Sequence, residues 1–144
     1  MATLVDAPAT VAPRLGRSLC ALGRHDEAEP LAQRGRELGD EQDVVTQMLW
    51  RQVQALVHAS RGEHERAQVL AREAVAIAEQ TDGLSFQGDA LCDLAEVLHA
   101  ARRTDDAAAT FEQALERYER KKNRAMVPQV RESLATLRRE APTH

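Results

Sequence analysis

The sequence predicts an all-α fold, a stack of helical hairpins within one domain. Its 144 residues include 25 alanines and 16 leucines but only 4 aromatic residues, a composition that favours helices over sheets. A pattern of small residues also recurs three times at a spacing of 39 to 40 positions, which indicates a repeat architecture. The length suits a single domain with its own core and excludes a second large one.

Each repeat contains a turn that is followed by an alanine. The three turn segments are Gly23–Ala28, Gly62–Ala67 and Arg102–Ala107. Small residues also lie twelve positions before and seven positions after each of these alanines. The nine small residues are Gly16, Ala28 and Gly35; Ala55, Ala67 and Ala74; and Ala95, Ala107 and Ala114. Because small side chains let two helices pack closely, each repeat is predicted to be an antiparallel helical hairpin.

The boundaries of the predicted elements follow from apolar residues at helical spacing. The predicted elements are a flexible segment at residues 1–9, a single domain at 10–140, hairpins at about 10–39, 43–81 and 84–122, and a last amphipathic helix at about 124–139. This last helix has no partner, so it is predicted to cover the exposed end of the core.

Polar residues mark the predicted helix starts. His25, His64 and Thr104 lie near the N-cap of the second helix of each hairpin. Asp43 and Asp82 precede the first helices of the second and third hairpins, where a carboxylate caps free backbone N–H groups.

Charge and cysteine content exclude several classes of partner. A formal net charge of −4 gives no general attraction to nucleic acid or anionic membranes. No apolar run approaches the roughly 18 residues that a membrane-spanning helix requires. Cys20 and Cys92 lie far apart in the sequence and form no Cys-x-x-Cys pair, which is typical of free thiols in a reducing compartment. We therefore expect a cytoplasmic protein without nucleic-acid or membrane partners.

The sequence contains none of the common catalytic or metal-binding motifs. The five histidines form no HExxH motif, and none has a cysteine at ligand spacing. No serine has the Gly-x-Ser-x-Gly context of a nucleophile, and no glycine-rich phosphate loop is present. The sequence therefore predicts no enzyme activity, no cofactor and no metal.

The repeat pattern resembles the tetratricopeptide repeat (TPR). In that family small residues stand at the eighth, twentieth and twenty-seventh positions, which the nine small residues above match, and a larger one at the twenty-fourth, where only Phe111 agrees. The period exceeds the usual length of about 34 residues, so longer helices are expected. Extended repeats of this kind are similar to those of large bacterial signalling regulators, LuxR-type proteins with an ATPase module or cyclase-linked arrays. The resemblance implies an α-α superhelix of three hairpins and a C-terminal capping helix.

The resemblance also implies a concave groove lined by the first helix of each hairpin. The expected partner-binding residues are Arg17, Gln52, Leu56, Asp89, Cys92, Glu96 and His99. The groove is expected to grade from a basic start through an apolar middle to an acidic end. Two acids at the family's clamp positions, Asp89 and Asp93, would repel the carboxylate that chaperone-binding relatives hold.

The function implied is that of a non-enzymatic scaffold, which binds a peptide or partner protein in this groove within a cytosolic bacterial regulator. Two alternatives remain open. One is a small-molecule effector bound between repeats, and its lining would be Trp50, His58 and His99. The other is a homodimer through the uncapped first hairpin, and its apolar residues would be Leu15, Leu19 and Leu22.

Overall fold

The structure, a computed structural model, describes residues 7–140, which form seven α-helices and no strand. The helices are α1 (Ala12–Ala21), α2 (His25–Leu38), α3 (Val44–Ser60), α4 (His64–Glu79), α5 (Leu84–Ala100), α6 (Thr104–Lys121) and α7 (Met126–Glu140). Each odd-numbered helix from α1 to α5 packs against its successor, which makes three hairpins, and α7 packs against α6. The predicted fold of three hairpins and a capping helix is confirmed.

Most of the predicted flexible segment, residues 1–6, lies outside the described residues. Residues 7–9 that follow are in contact with the first hairpin: the carbonyl of Ala7 accepts a hydrogen bond from Arg34 Nε, and the carbonyl of Pro8 accepts one from Val11 N. Within the described range, no helix combines the length and apolar character needed to cross a bilayer.

The turns inside the three hairpins share the same backbone geometry. The central residue of each turn has a positive φ, 78° at Gly23, 79° at Gly62 and 62° at Arg102. The N–H of the residue that follows donates to a carbonyl five positions earlier, at 2.8 to 2.9 Å. This bond satisfies a carbonyl in the last turn of the first helix and reverses the chain within a few residues. A left-handed φ costs little at glycine, so Arg102 is the unfavourable member of the three.

The helix starts differ in part from the prediction. His25, His64 and Thr104 are the first residues of α2, α4 and α6, and the N-cap residue before each makes no side-chain capping bond. Asp43 does cap α3, since its Oδ1 accepts a hydrogen bond from Thr46 N at 3.1 Å. The prediction for Asp82 is wrong, because the N-cap of α5 is the following glycine, whose N–H donates to a threonine hydroxyl instead.

Small residues lie wherever the helices cross. All nine small residues of the repeat pattern are buried. A Cβ atom added to Gly35 would stand 2.4 Å from Pro13 Cγ, so the proline ring rests directly on the backbone of α2. Gly88 was not recognised from the sequence, yet a Cβ there would lie 2.5 Å from the ring of Tyr118. The tyrosine therefore packs flat against the backbone of α5.

The two ends of the array are covered differently. At the C-terminal end, Val130, Leu134 and Leu137 of α7 are buried in the largest core cluster. At the N-terminal end, Leu22 is 70% exposed, but Leu19 is only 7% exposed, because it packs into the core of the first two hairpins. The apolar surface expected for a homodimer is thus smaller than predicted, and the homodimer itself stays a prediction.

Candidate binding groove

The first helices of the three hairpins, α1, α3 and α5, line one cavity together. Its volume is about 890 Å³, and the start of α7 and Phe111 of α6 complete its walls. The helices meet in series, α1 against α3 and α3 against α5. We call this cavity the groove. Because every hairpin contributes its first helix, the groove extends across the whole array.

Six of the seven predicted partner-binding residues line the groove. They are Arg17, Gln52, Leu56, Asp89, Cys92 and Glu96. His99 is not among the residues that line the groove, and its Nε2 lies 2.8 Å from Glu140 Oε2 on α7, so its part in partner binding stays a prediction. The sequence also failed to indicate Met126 and Val130, which enter the groove only because α7 folds back beside α5.

A partly buried ion pair joins the first and third hairpins across the groove. Arg17 Nε donates to Asp93 Oδ2 at 2.8 Å, and Arg17 Nη2 donates to Asp93 Oδ1 at 3.0 Å. Asp93 is 6% exposed, and its charge raises the pKa of Arg17 well above the ordinary value. Asp93 was not among the predicted binding residues, although it follows Asp89 by one helical turn. The basic and acidic ends of the expected gradient therefore meet in a direct pair, and the gradient itself stays a prediction.

Gln52 of α3 joins this pair at the centre of the groove. Its Nε2 donates to Asp93 Oδ2 at 2.8 Å, and the residue is fully buried. The amide orientation is fixed by this bond, because turning the oxygen toward the carboxylate would set two acceptors against each other. Its Oε1 has no hydrogen-bond partner among residues 7–140. A buried acceptor without a partner is costly, so it marks a place where a donor would be stabilised.

Two further carboxylates of α5 face the groove beside Asp93. Asp89 Oδ1 accepts a hydrogen bond from the hydroxyl of Tyr118, and burial raises the pKa of Asp89. Glu96 is exposed but flanked by the groove walls, and loss of solvent raises the pKa of its carboxyl as well. Neither forms a salt bridge with an arginine or lysine in the part of the chain that the structure describes.

The two cysteines in the groove are unreactive thiols. Cys20 and Cys92 are both buried free thiols, and burial raises the pKa of each to about 12. At neutral pH both are protonated, whereas a nucleophilic or metal-binding cysteine needs the thiolate. Among residues 7–140, no group of three histidine, cysteine, aspartate or glutamate side chains is placed to hold a metal ion.

The residues suggested for an effector site are not brought together. Trp50 is packed between the guanidinium groups of Arg36 and Arg51, whose carbon atoms lie 5.3 and 4.1 Å from the ring centroid. His58 instead lines a second cavity of about 830 Å³ on α2, α3 and α4, and its Nδ1 lies 3.1 Å from a glutamate oxygen. His99 contacts α7. The structure therefore offers no common pocket for these three side chains.

Stacked helical hairpins with a shared groove define the class of helical-repeat proteins, in which consecutive units pack on one another. Within that class, the family model of the tetratricopeptide repeat matches residues 45–120, and the chain belongs to this family. Such repeats generally mediate protein–protein interaction and are typically non-enzymatic. No curated protein and no solved structure shows significant similarity to the chain.

Proposed function

We propose that the protein is a non-catalytic interaction module whose groove binds a peptide or a helix of a partner protein. The observation that carries the proposal is the groove itself, since α1, α3 and α5 each contribute side chains to one cavity of about 890 Å³. Its lining combines apolar residues with fixed polar groups, as in binding sites where burial supplies affinity and a few polar contacts supply specificity.

Helix α3 contributes apolar side chains to the centre of the groove. Leu56 is half-buried and Leu49 is 6% exposed, and both line the cavity. Covering the remaining apolar surface of Leu56 with a ligand side chain would remove it from water, which is the main favourable contribution in most protein association. Leu56 is therefore the residue whose replacement by a charged side chain should disturb binding most.

Catalysis is not supported by the groove chemistry. Both thiols are held in the protonated form by burial. The Arg17 guanidinium is occupied by Asp93, and the Tyr118 hydroxyl is occupied by Asp89. None of these four groups therefore combines a free reactive atom with an adjacent base, which nucleophilic catalysis requires.

The biological setting is proposed from the sequence. Arginine supplies 17 of the 19 basic residues, and alanine is the most frequent residue, as in proteins encoded by GC-rich bacterial genomes. Together with the long repeat period, this composition supports a signalling regulator of the bacterial cytoplasm as the protein in which the module works.

A peptide-display selection tests the groove as the binding surface. Random peptides of about ten residues are selected on the wild-type protein and then measured against Leu56→Asp and against Leu22→Asp, whose leucine is 70% exposed and lies outside the groove. We expect selected peptides to bind the wild type and the Leu22 variant alike and to lose most of their affinity for Leu56→Asp. Selected peptides that bind Leu56→Asp as well as the wild type would show that the groove is not the site.

A further inference from the structure

Three carboxylates form a stripe along the side of α5 that lines the groove. Asp89, Asp93 and Glu96 are spaced four and three residues apart, so they lie on one face of the helix. Arg17 neutralises Asp93 through two hydrogen bonds. The other two carboxylates have no cationic partner within residues 7–140, as described above. The α5 wall of the groove therefore carries negative charge that the fold compensates only in part, since the nearby Arg17 also acts to lower the pKa of Asp89.

A buried amide oxygen beside the stripe, Gln52 Oε1, also favours a hydrogen-bond donor on the ligand. Gln52 is fully buried on the neighbouring helix, and its Nε2 is held by Asp93. Its Oε1 belongs to the same amide and is left without a hydrogen-bond partner in the described part of the chain. The groove therefore presents three acceptors close together, the carboxylates of Asp89 and Glu96 and the amide oxygen of Gln52, and the guanidinium of Arg17 beside them is already engaged by Asp93.

The charge of the opposite wall offsets only part of this negative charge, because the effect of burial on the pKa of Asp89 exceeds those of Arg17 and Arg14. Arg14 of α1 also lines the groove, but its side chain is exposed and forms no salt bridge among the described residues. A solvated charge at the edge contributes little to binding, whereas charges partly shielded from water contribute more. A ligand that reaches the α5 wall therefore meets the half-buried carboxylate of Asp89 and, two turns further along the helix, the more exposed carboxylate of Glu96, whose pKa is raised by partial loss of solvent.

We propose that the groove is specific for basic peptide segments, with separate arginine side chains of the partner paired with Asp89 and with Glu96, which lie about two helical turns apart on α5, and apolar neighbours packed on Leu56. This inference rests on the proposed groove function and names its ligand class. Arginine suits the site because its planar guanidinium offers five N–H donors to several acceptors at once, while its aliphatic stem packs on apolar surface. Lysine offers the same charge with fewer fixed donors.

Three labelled peptides of equal length test the charge preference by fluorescence anisotropy. Each is ten residues long and alternates leucine with one other residue, which is arginine, glutamine or glutamate. We expect the arginine peptide to bind about tenfold more tightly than the glutamine peptide, and the glutamate peptide to bind most weakly. A fourth peptide keeps the arginines and replaces leucine by serine, and we expect it to bind more weakly than the arginine–leucine peptide.

Charge-removing variants locate the effect on the protein. Glu96→Gln and Asp89→Asn should each weaken the arginine peptide several-fold and leave the glutamine peptide unchanged. Glu79→Gln is the matched control, because it removes one exposed negative charge from α4, away from the groove. All three variants remove a charge without removing core volume, so folding is retained and is checked by circular dichroism.

The outcomes separate this inference from the proposed function. Equal affinity for the arginine and glutamine peptides, or equal losses in Glu96→Gln and Glu79→Gln, would overturn the basic preference. If display-selected peptides are acidic or neutral and still depend on Leu56, the preference fails while the groove function stands. If no peptide depends on Leu56, both fail together.

Discussion

The ion pair between Arg17 and Asp93 should make a measurable contribution to stability, and removing Arg17 should destabilise the protein more than removing the charge of Asp93. Replacing Arg17 by methionine keeps most of the aliphatic stem but leaves Asp93, which is 6% exposed, with Gln52 as its remaining partner. Breaking a fully buried pair costs about 3 to 5 kcal/mol, and the Arg17 side chain is 30% exposed, so about 2 to 3 kcal/mol is expected. The loss is a large fraction of the total of roughly 5 to 15 kcal/mol for a domain.

Replacing Asp93, the other member of the pair, should lower the free energy of unfolding by less. In Asp93→Asn the amide oxygen still accepts from Gln52, and the partly exposed Arg17 can turn its guanidinium toward water. We expect a loss of about 1 to 2 kcal/mol from Asp93→Asn. In the double variant no buried charge is left without a partner, so its loss should be clearly smaller than the sum of the two single losses.

Urea denaturation followed by circular dichroism measures these free energies of unfolding for the four proteins of the cycle. Arg14→Met is the control, because it removes a guanidinium one turn earlier on α1 that is exposed and forms no salt bridge in the described range. We expect it to change stability by less than about 0.5 kcal/mol. A coupling energy below about 0.5 kcal/mol, with losses that simply add, would refute the reasoning, since it would mean that the pair is not formed in solution.

Three further predictions concern packing, backbone and pH. Ala67→Leu, at a fully buried helix crossing, should lower stability by about 1 to 3 kcal/mol, while Ala76→Leu on the exposed face of the same helix should change it by less than about 0.5 kcal/mol; equal melting of both variants would contradict the assigned crossing. Residues 62 and 102 both have a left-handed φ, which glycine adopts at little cost, so Arg102→Gly should raise stability by about 0.5 to 1 kcal/mol and Gly62→Ala should lower it by about 1 kcal/mol. A loss of stability of Arg102→Gly in chemical denaturation would contradict this. Burial raises the pKa of Asp89 in the folded protein above its pKa in the unfolded chain, so the charged carboxylate lowers the free energy of unfolding at pH values above the folded pKa. This loss of stability disappears as the pH falls through the unfolded pKa, so Asp89→Asn should raise the melting temperature at pH 7 and not at about pH 4. An equal rise at both pH values would exclude titration of this carboxyl as the cause.

The fold was largely predictable because the repeat imposes local constraints that the sequence displays directly. Small residues at fixed offsets indicated where the helices cross, and Gly23 and Gly62 indicated turns that need a positive φ. Arg102 could be assigned to the same turn only by its alignment with the two glycines. The contact of Gly88 with Tyr118 was not predictable, since the two residues come from different helices and neither belongs to the nine-residue pattern.

The groove was predictable as a set of positions but not as a set of interactions. Six of the seven expected residues face the cavity because helical spacing decides which side of α1, α3 and α5 they occupy. The pairing of Arg17 with Asp93 depends on how the third hairpin is rotated relative to the first, which no local pattern encodes. The same holds for His99, whose contact with α7 depends on the direction in which the last helix returns.

The Arg17–Asp93 pair also changes how the groove can respond to a ligand. In most repeat arrays each unit contacts only its neighbours, so the curvature is the sum of independent steps. Here a side chain of the first hairpin reaches the third directly, with two hydrogen bonds of 2.8 and 3.0 Å. Widening the groove for a bulky ligand would stretch these bonds and expose a buried carboxylate. A helix about 10 Å across meets that cost, whereas an extended segment lying beside the pair does not. If the groove is the binding site proposed above, the ion pair therefore favours an extended peptide over a partner helix as its occupant.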